Sequence, residues 1–440
     1  MLAFLFLSAA LLVAPGGEKL SRSEQLAWRT LVTEVVTQPQ QTLDVESIKE
    51  FERFDTAELA RVARLGPNYD SDSAKAREVN GAKETLESFG RTTSGYSFEY
   101  EGHVYRYAVS LPRKYEPSEA WPLLLDPGHG SGAKLDAAGK AGMLDYYRNM
   151  ADEAGGRDWI VIRTEIIEQV GAGGLHKPLP EDEVIAVYDA FFRDVYSRFH
   201  VDLSQVRVAG ISQTGFWAWY LAAARPSRFA GLAPAAAVTW QVDPNLENLR
   251  NLAIFVAHGD QDEKCPVEQP RVAVRRLANL GARVLYHEIA EAGHDGKVFW
   301  RIAKGLEFLK QHPRDPYPKQ ISKACANLRE GGWAYWLRID ELEREDGGEA
   351  SVKRPALGGV DGKIEGQEIR LHSEGVKRVT LGLSSELLDL DQSITVIWNG
   401  KTVHEGKLQT SAQAMLELIG SKADWIGVFE AKLELTGPKR

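Results

Sequence analysis

Short apolar runs alternate with stretches of helical spacing between residues 121 and 311, and this alternation constrains the fold more than any other feature of the chain. Alternation of this kind predicts a parallel sheet covered by helices on both faces. The predicted strands lie at 122–125, 159–163, 206–209, 252–257 and 284–289, and the predicted helices at 142–153, 182–199, 213–224, 268–280 and 298–311. Catalytic residues are therefore expected in the loops at the carboxyl ends of the strands.

The part of the chain before this region is predominantly of helical spacing. Ser21 and Glu24 make a capping-box pattern at the start of a helix. Residues 45–65 and 73–89 also repeat apolar side chains at helical intervals and lack strand alternation. We therefore predict a small helical region over residues 17–95.

Alternating sequence appears on both sides of the strand–helix region. Residues 96–111 predict an antiparallel hairpin, which begins a catalytic domain over 96–313. A proline-containing linker is predicted at 314–332. Short alternating runs over 333–440 then predict a β-sandwich-like accessory domain, in which Asn399-Gly400 is a strong two-residue hairpin signal.

Composition and charge exclude several classes of protein. The chain is 43% hydrophobic and 26% charged, as expected of a folded globular protein. Its 53 basic and 62 acidic residues give a net charge of −9 without a Lys/Arg-rich block, so a nucleic-acid partner is not expected.

The N-terminus carries the longest apolar run, at residues 2–13, in which Ser8 is the one polar residue. This run is shorter than the roughly 20 residues that a membrane-spanning helix needs, and small residues follow it. We predict a signal peptide over 1–16 and export to the periplasm or the exterior, with a buried N-terminal segment as the alternative. With no second hydrophobic span, stable membrane insertion is not expected.

A strand-to-helix turn around Ser212 has the pattern of a nucleophile elbow. Gly210 and Gly215 flank the serine, and such a turn lifts the hydroxyl above the sheet and brings the next amide to the oxyanion. Thr214 stands where the pattern has its second glycine, and the glycine comes one residue later. The alternative for this position is a serine that caps an ordinary helix.

An aspartate and a histidine follow Ser212 in the order typical of α/β-hydrolase triads. Asp262 follows the strand at 252–257, and His294 follows the strand at 284–289 on a glycine-containing loop. The order Ser, Asp, His, each after its own strand, predicts a nucleophile, an orienting acid and a base. Asp260 is the alternative acid.

Residues 96–313 resemble an α/β-hydrolase of the phospholipase/carboxylesterase and dienelactone-hydrolase group. The matched residues are Gly210, Ser212, Gln213 and Gly215 in the elbow, His258, Gly259, Asp262 and Pro266 around the acid, and Gly293 and His294 around the base. The resemblance implies an α/β-hydrolase sheet and acyl transfer through a covalent intermediate. It also implies that the amides of Gln213 and Ser131 bind the oxyanion.

These features predict an exported serine hydrolase that cleaves a carboxylic ester, in a small molecule or linked to a polymer. Trp240 is a candidate for the lining of an apolar acyl pocket. Neither a metal nor a cofactor is expected, because the chain lacks His-Glu-x-x-His and Cys-x-x-Cys motifs. Cys265 and Cys325 could form one disulfide or remain two thiols. The alternatives are a serine peptidase of the same fold and a catalytically silent surface-binding protein.

Overall fold

The computed structural model describes residues 19–38, 45–69, 82–85, 93–112, 114–128, 137–155, 158–166, 168–170, 176–178, 181–239, 242–343 and 358–438. The helices are α1 Arg22–Thr37, α2 Val45–Lys49, α3 Thr56–Ala63, α4 Ala137–Glu153, α5 Glu181–Arg198, α6 Gln213–Ala224, α7 Glu268–Asn279, α8 Gly296–Phe299, α9 Ile302–Lys310, α10 Leu328–Gly331 and α11 Ala412–Lys422. The strands are β1 Ala82–Thr85, β2 Thr93–Tyr100, β3 His103–Ser110, β4 Trp121–Asp126, β5 Ile160–Thr164, β6 Glu168–Val170, β7 His176–Pro178, β8 Val201–Ile211, β9 Gly231–Ala235, β10 Ala253–Gly259, β11 Arg283–Ile289, β12 Gln320–Cys325, β13 Trp333–Ala334, β14 Leu337–Leu342, β15 Gly358–Glu365, β16 Glu368–Glu374, β17 Val376–Leu383, β18 Ile394–Trp398, β19 Lys401–Gly406 and β20 Ala431–Thr436.

A nine-stranded sheet forms the centre of the catalytic domain, in the order β1-β2-β3-β5-β4-β8-β9-β10-β11. Six neighbouring strands, β5, β4, β8, β9, β10 and β11, are parallel to one another. Strands β1, β2 and β3 extend this sheet at one edge, and each pairs antiparallel with its neighbours. Every residue of β5, β9 and β10 is buried, as expected of strands with helices on both faces. The α/β-hydrolase fold expected from the sequence is confirmed.

The helical region before the sheet is only partly as predicted. Ser21 and Glu24 form the expected capping box, and two short helices, α2 and α3, lie within 45–65. The stretch 73–89 was expected to be helical, and this is wrong for Ala82–Thr85, which is strand β1. This segment pairs antiparallel with β2, so tertiary pairing at the sheet edge overrides its local helical spacing. The rest of that stretch lies outside the described residues.

The C-terminal region is a sandwich of two sheets, as predicted. One sheet has the order β12-β15-β16-β18-β19 and the other β13-β14-β17-β20. Their inner faces share one apolar core, in which Trp336 and Trp398 are fully buried. At the predicted hairpin, Asn399 and Gly400 have φ values of 49° and 79°, as a type I′ turn requires.

The stretch 314–332 is predicted as a linker from its prolines, and the structure corrects this. Gln320–Cys325 is strand β12, which pairs with β15 along its whole length and carries buried side chains. Helix α10 follows it. The sandwich therefore begins before residue 333, because the prolines at 313, 316 and 318 precede the strand rather than interrupt it.

The sandwich and the N-terminal helices are packed into the core of the catalytic domain. Helix α11 contacts α1, and its residues Met415 and Ile419 belong to the same apolar cluster as Trp28 of α1. Trp425, just after α11, packs its ring edge-on against Tyr196 of α5 at 5.2 Å. Among the described residues, no helix is both long and apolar enough to cross a membrane.

Candidate active site

Ser212 lies on a sharp turn between β8 and α6. Its backbone has φ 55° and ψ −118°, a left-handed conformation that non-glycine residues rarely adopt, and its side chain makes no capping hydrogen bond to the helix. This result argues against the helix-cap alternative. A Cβ on Gly210 would lie 2.2 Å from the backbone oxygen of Thr214, so only glycine fits there. The elbow predicted from the sequence is therefore formed at Ser212.

Thr214 holds the elbow together through its hydroxyl. Its Oγ1 accepts a hydrogen bond from the Ile211 amide at 2.7 Å and donates one to the Ile211 carbonyl at 3.0 Å. The hydroxyl of Tyr147, which is fully buried, lies 3.3 Å from the same Oγ1. Gly215 packs against the Ala237 side chain, where a Cβ would come within 2.7 Å. The displaced glycine of the motif is thus needed for close packing.

Asp262 lies in a tight loop after β10. Its Oδ1 accepts hydrogen bonds from the amides of Lys264 and Cys265, both at 2.9 Å, and its Oδ2 lies 2.8 Å from Nδ1 of His294. Burial opposes the charged form, but these donors outweigh it and hold the pKa of Asp262 below its ordinary value. Because an ionised carboxylate can only accept, Nδ1 of His294 carries the proton, which leaves Nε2 as the basic atom.

The His294 loop is fixed on both sides of the imidazole. The Asp295 carboxylate accepts hydrogen bonds from the amides of Gly293 at 3.2 Å and Lys297 at 2.8 Å, and so caps α8. The Phe299 ring packs edge-on against the imidazole at 5.3 Å. A Cβ on Gly259 would lie 2.2 Å from the Ala292 carbonyl, so the acid loop and the base loop touch.

The three predicted catalytic residues lie at one edge of the sheet. Backbone hydrogen bonds connect the successive strand ends, from Ser212 to Ala235 at 2.8 Å, from Ala236 to Ala257 at 2.9 Å, and from Asp260 to Ile289 at 3.1 Å. Asp262 and His294 are in direct contact. No hydrogen bond between the Ser212 hydroxyl and His294 is present in the described part of the chain, and in sites without substrate this contact is often long.

His258 is a site residue whose role the sequence did not reveal. Its Nε2 lies 2.8 Å from the Cys265 carbonyl and 3.6 Å from Oδ2 of Asp262, and the side chain is fully buried. Burial lowers the pKa of His258, so a neutral imidazole braces the acid loop. The His-Gly-x-x-Asp motif was the signal, although the motif alone does not distinguish a brace from a turn residue.

The predicted oxyanion donors are only partly within the described residues. Gln213 is the first residue of α6, where backbone amides have no intrahelical acceptor. Ser131 and Trp240 lie outside the described residues. The loop before Ser131 is anchored at Pro127, whose carbonyl accepts hydrogen bonds from the hydroxyls of Thr164 and Tyr188, both at 2.5 Å.

Cys265 lies beside the acid and the base. Ligand-type atoms of Asp262, Cys265 and His294 lie within 4.8 Å of one another, a grouping that could hold a metal ion. Burial and the nearby Asp262 carboxylate raise the pKa of the Cys265 thiol to about 11, which disfavours the thiolate that a metal would need. Cys265 and Cys325 are both buried and are not joined in a disulfide.

Comparisons with known proteins found matches among solved structures but none among protein families or curated sequences. No protein-family model matches the chain, and no curated protein matches it. Among solved structures it is similar to a thermostable esterase, at 16% identity and a TM-score of 0.40, over 50% of this chain and 63% of that one. A CE1 ferulic acid esterase from Anaeromyces mucronatus matches at 12% identity and a TM-score of 0.40, over 53% and 95%. Thermogutta terrifontis esterase 2 matches at 14% identity and 0.39, over 50% and 94%.

Proposed function

We propose that this protein is a serine hydrolase that cleaves a carboxylic ester through an acyl-enzyme. The observation that supports this function best is the strained Ser212 elbow at the same sheet edge as the hydrogen-bonded Asp262–His294 pair. A serine without such surroundings would be too weak a nucleophile, whereas a neighbouring base that is itself oriented activates it.

In the proposed mechanism Ser212 Oγ attacks the ester carbonyl while Nε2 of His294 takes its proton. Asp262 keeps the imidazole in the required tautomer and stabilises the imidazolium. The Gln213 amide donates to the developing oxyanion, a contribution of about 3 kcal/mol for one donor. His294 then protonates the leaving alcohol, and a water attacks the acyl-enzyme by the reverse sequence of proton transfers. We place Ser131 as the second oxyanion donor and Trp240 in the acyl pocket from the sequence resemblance alone.

Two competing functions remain outcomes of the same experiment. A serine peptidase would use the same residues on an amide, and a silent binder would carry them without turnover. Export likewise rests on the apolar run at residues 2–13, which precedes the described part of the chain.

The test is fluorophosphonate labelling of the purified protein, followed by hydrolysis assays with p-nitrophenyl esters, feruloyl and acetyl-sugar esters, and aminoacyl anilides. We expect labelling of Ser212 and turnover of an ester. Ser212→Ala and His294→Ala should each abolish turnover, with the melting temperature within a few degrees of wild type, because the Ser212 side chain is small and Asp262 keeps its hydrogen bonds from the amides of Lys264 and Cys265 when His294 is removed. Near-native turnover in either variant would reject the triad. Turnover of anilides alone would establish the peptidase, and absence of both labelling and turnover would establish the binder.

A further inference from the structure

A cavity lies between the catalytic domain and the sandwich, away from the elbow. Its volume is about 170 Å³, and its wall includes Leu203, near the start of β8, whereas Ser212 follows the end of that strand. The rest of the wall comes from α5, from the segment after α6, from Arg314, from Gly332 with β13 and β14, and from α11 and the residues after it. The cavity is therefore at the opposite end of the central sheet from the candidate active site.

The wall of this cavity is strongly basic. Six of its side chains are cationic, namely Arg193, Arg225, Arg228, Arg314, Arg338 and Lys422, and two are carboxylates, Asp189 and Asp424. Arg314 and Asp424 form a two-pronged ion pair at 2.8 and 2.9 Å, and Asp189 is shared by Arg225 and Arg228. Arg338 is also paired with Asp340 at 2.6 Å, so the three carboxylates leave an excess of three positive charges.

Two guanidinium donors in the wall are buried and lack acceptors. Within the described residues, the Nε atoms of Arg228 and Arg314 are buried and have no hydrogen-bond partner, and these side chains are only 10% and 3% exposed. Lys422, which is 2% exposed, reaches the Gly427 carbonyl at 3.2 Å but is 3.5 Å from Asp424. Buried like charges with unsatisfied donors are costly unless a counter-charge joins them.

From this geometry we infer that the cavity binds a divalent oxyanion, either as free phosphate or sulfate or as the phosphoryl or sulfate group of a larger molecule. Guanidinium groups match the oxygens of such anions in pairs, and an ammonium adds a compact charge. Each water occupies about 30 Å³ in the liquid, so the cavity has room for a tetrahedral oxyanion in place of several waters. The anion would bridge α5, Arg314 and α11, and would stabilise the native chain by binding only to it.

The pH dependence of binding follows from Lys422. Burial, together with Arg314 and Arg228, lowers the pKa of Lys422 to about 8 against the attraction of Asp424. The rings of Phe429 and Trp333 cover the ammonium at 4.0 and 5.9 Å, and Arg338 lies over the Trp333 ring. Sulfate keeps its charge at neutral and mildly alkaline pH, so its affinity should fall as pH rises through 8, where Lys422 loses its proton.

The experiment is isothermal titration of the full chain with sodium sulfate, sodium phosphate and a sugar monophosphate at constant ionic strength. We expect one saturable site per chain for the oxyanions and no saturable binding of chloride. Lys422→Met should weaken sulfate binding by about tenfold or more, because a charge-assisted contact is lost. Lys432→Met is the matched control, since Lys432 is a partly exposed lysine on β20 that is not part of the wall, and it should bind as wild type does.

The outcomes are separable from the proposed catalysis, because no substrate is present and the titration can be repeated with Ser212→Ala. If Lys422→Met fails to fold, Arg228→Gln takes its place, with circular dichroism as the check on folding. Tighter binding of the sugar monophosphate than of free phosphate would assign the site to a group on a larger molecule, and weaker binding would assign it to the free ion. No saturable oxyanion binding, or unchanged affinity in the folded variant, would overturn the inference.

Discussion

Asp260 and Asp262 are two residues apart, but only Asp262 contacts the imidazole. The Asp260 amide is tied to the Ile289 carbonyl, whereas Asp262 holds Nδ1 of His294 at 2.8 Å. Asp262→Asn should therefore lower kcat about 10⁴-fold through the wrong tautomer, as loss of the orienting carboxylate does in other triads. Asp260→Asn is the matched control and should change kcat little. The measurement is kcat of both variants in steady-state kinetics on one ester. A larger loss of kcat in Asp260→Asn than in Asp262→Asn would assign the acid to Asp260.

Thr214 stands where the elbow pattern has its second glycine, so a residue with a β-carbon is unusual at this position. The structure gives the side chain a structural role, because its hydroxyl satisfies both backbone groups of Ile211. Thr214→Val leaves these groups unpaired and should lower the free energy of unfolding by about 1–3 kcal/mol. Urea unfolding measures this, and turnover should fall with it. Thr214→Ser keeps the hydroxyl and should behave as wild type, whereas equal stability of all three proteins would contradict the role.

At the scale of the element, the strand-to-helix turn depends on one glycine. A methyl group at Gly210 would lie 2.2 Å from the backbone of Thr214, so Gly210→Ala must displace the elbow and should greatly reduce the rate of fluorophosphonate labelling. Gly142, inside α4, has nothing within 4 Å of the same position. Gly142→Ala should therefore leave labelling unchanged and stabilise the chain by about 0.5–1 kcal/mol. Unchanged labelling in Gly210→Ala would show that the turn does not need a bare backbone.

The order of strands and helices in the catalytic domain could be predicted from the sequence because each element carries its own periodicity. Residues 252–257 are a continuous apolar run, and turns such as Asn399-Gly400 require the residues they have. Ala82–Thr85 and Gln320–Cys325 escaped prediction because their partners, β2 and β15, impose their structure from outside the segment. For the site, residue types predicted the Asp262–His294 contact, but the brace by His258 depends on a fold that brings Cys265 back to it.

At the scale of the whole molecule, the Arg314–Asp424 ion pair connects the end of the catalytic domain with the sandwich. Asp424→Asn leaves the Arg314 guanidinium buried without its counter-charge and should cost about 3–5 kcal/mol of unfolding free energy. Asp391→Asn, at an exposed position of the same sandwich, should stay within about 0.5 kcal/mol of wild type. Urea unfolding at neutral pH is the measurement, and equal stability of both variants would contradict a structural ion pair.

The pH dependence of that difference has a definite sign. Burial opposes the charge, but Arg314 and Lys422 hold the pKa of Asp424 far below its ordinary value. A lowered pKa gives stability that is complete above the unfolded pKa of about 3.9 and is lost as pH falls further. The gap between wild type and Asp424→Asn should therefore persist from neutral pH down to about 5 and shrink only in stronger acid.

The C-terminal region was predicted as an accessory domain, and an accessory domain can be removed without unfolding the rest of the chain. Its contacts lead us to the opposite expectation, because α11 covers the apolar face of α1, Lys323 donates to the Ala224 carbonyl, and Asn248 is hydrogen-bonded to the backbone of Ala324. A chain that ends near residue 318 should therefore be insoluble or aggregated in size-exclusion chromatography. A monomeric fragment that hydrolyses small esters at the native rate would restore the accessory interpretation.

The packing of α1 on α11 also determines when the newly synthesised chain can complete its fold. Helix α1 precedes the whole catalytic domain and α11 follows it, so the part of α1 that packs on α11 has no partner until α11 has been synthesised, whereas Trp28 meets Phe51 much earlier. At about 5–20 residues per second, the wait lasts tens of seconds. During that interval Val35, which packs on Gly420 of α11, is open to proteins that bind nascent chains. Completion of the native packing is thus tied to the synthesis of α11.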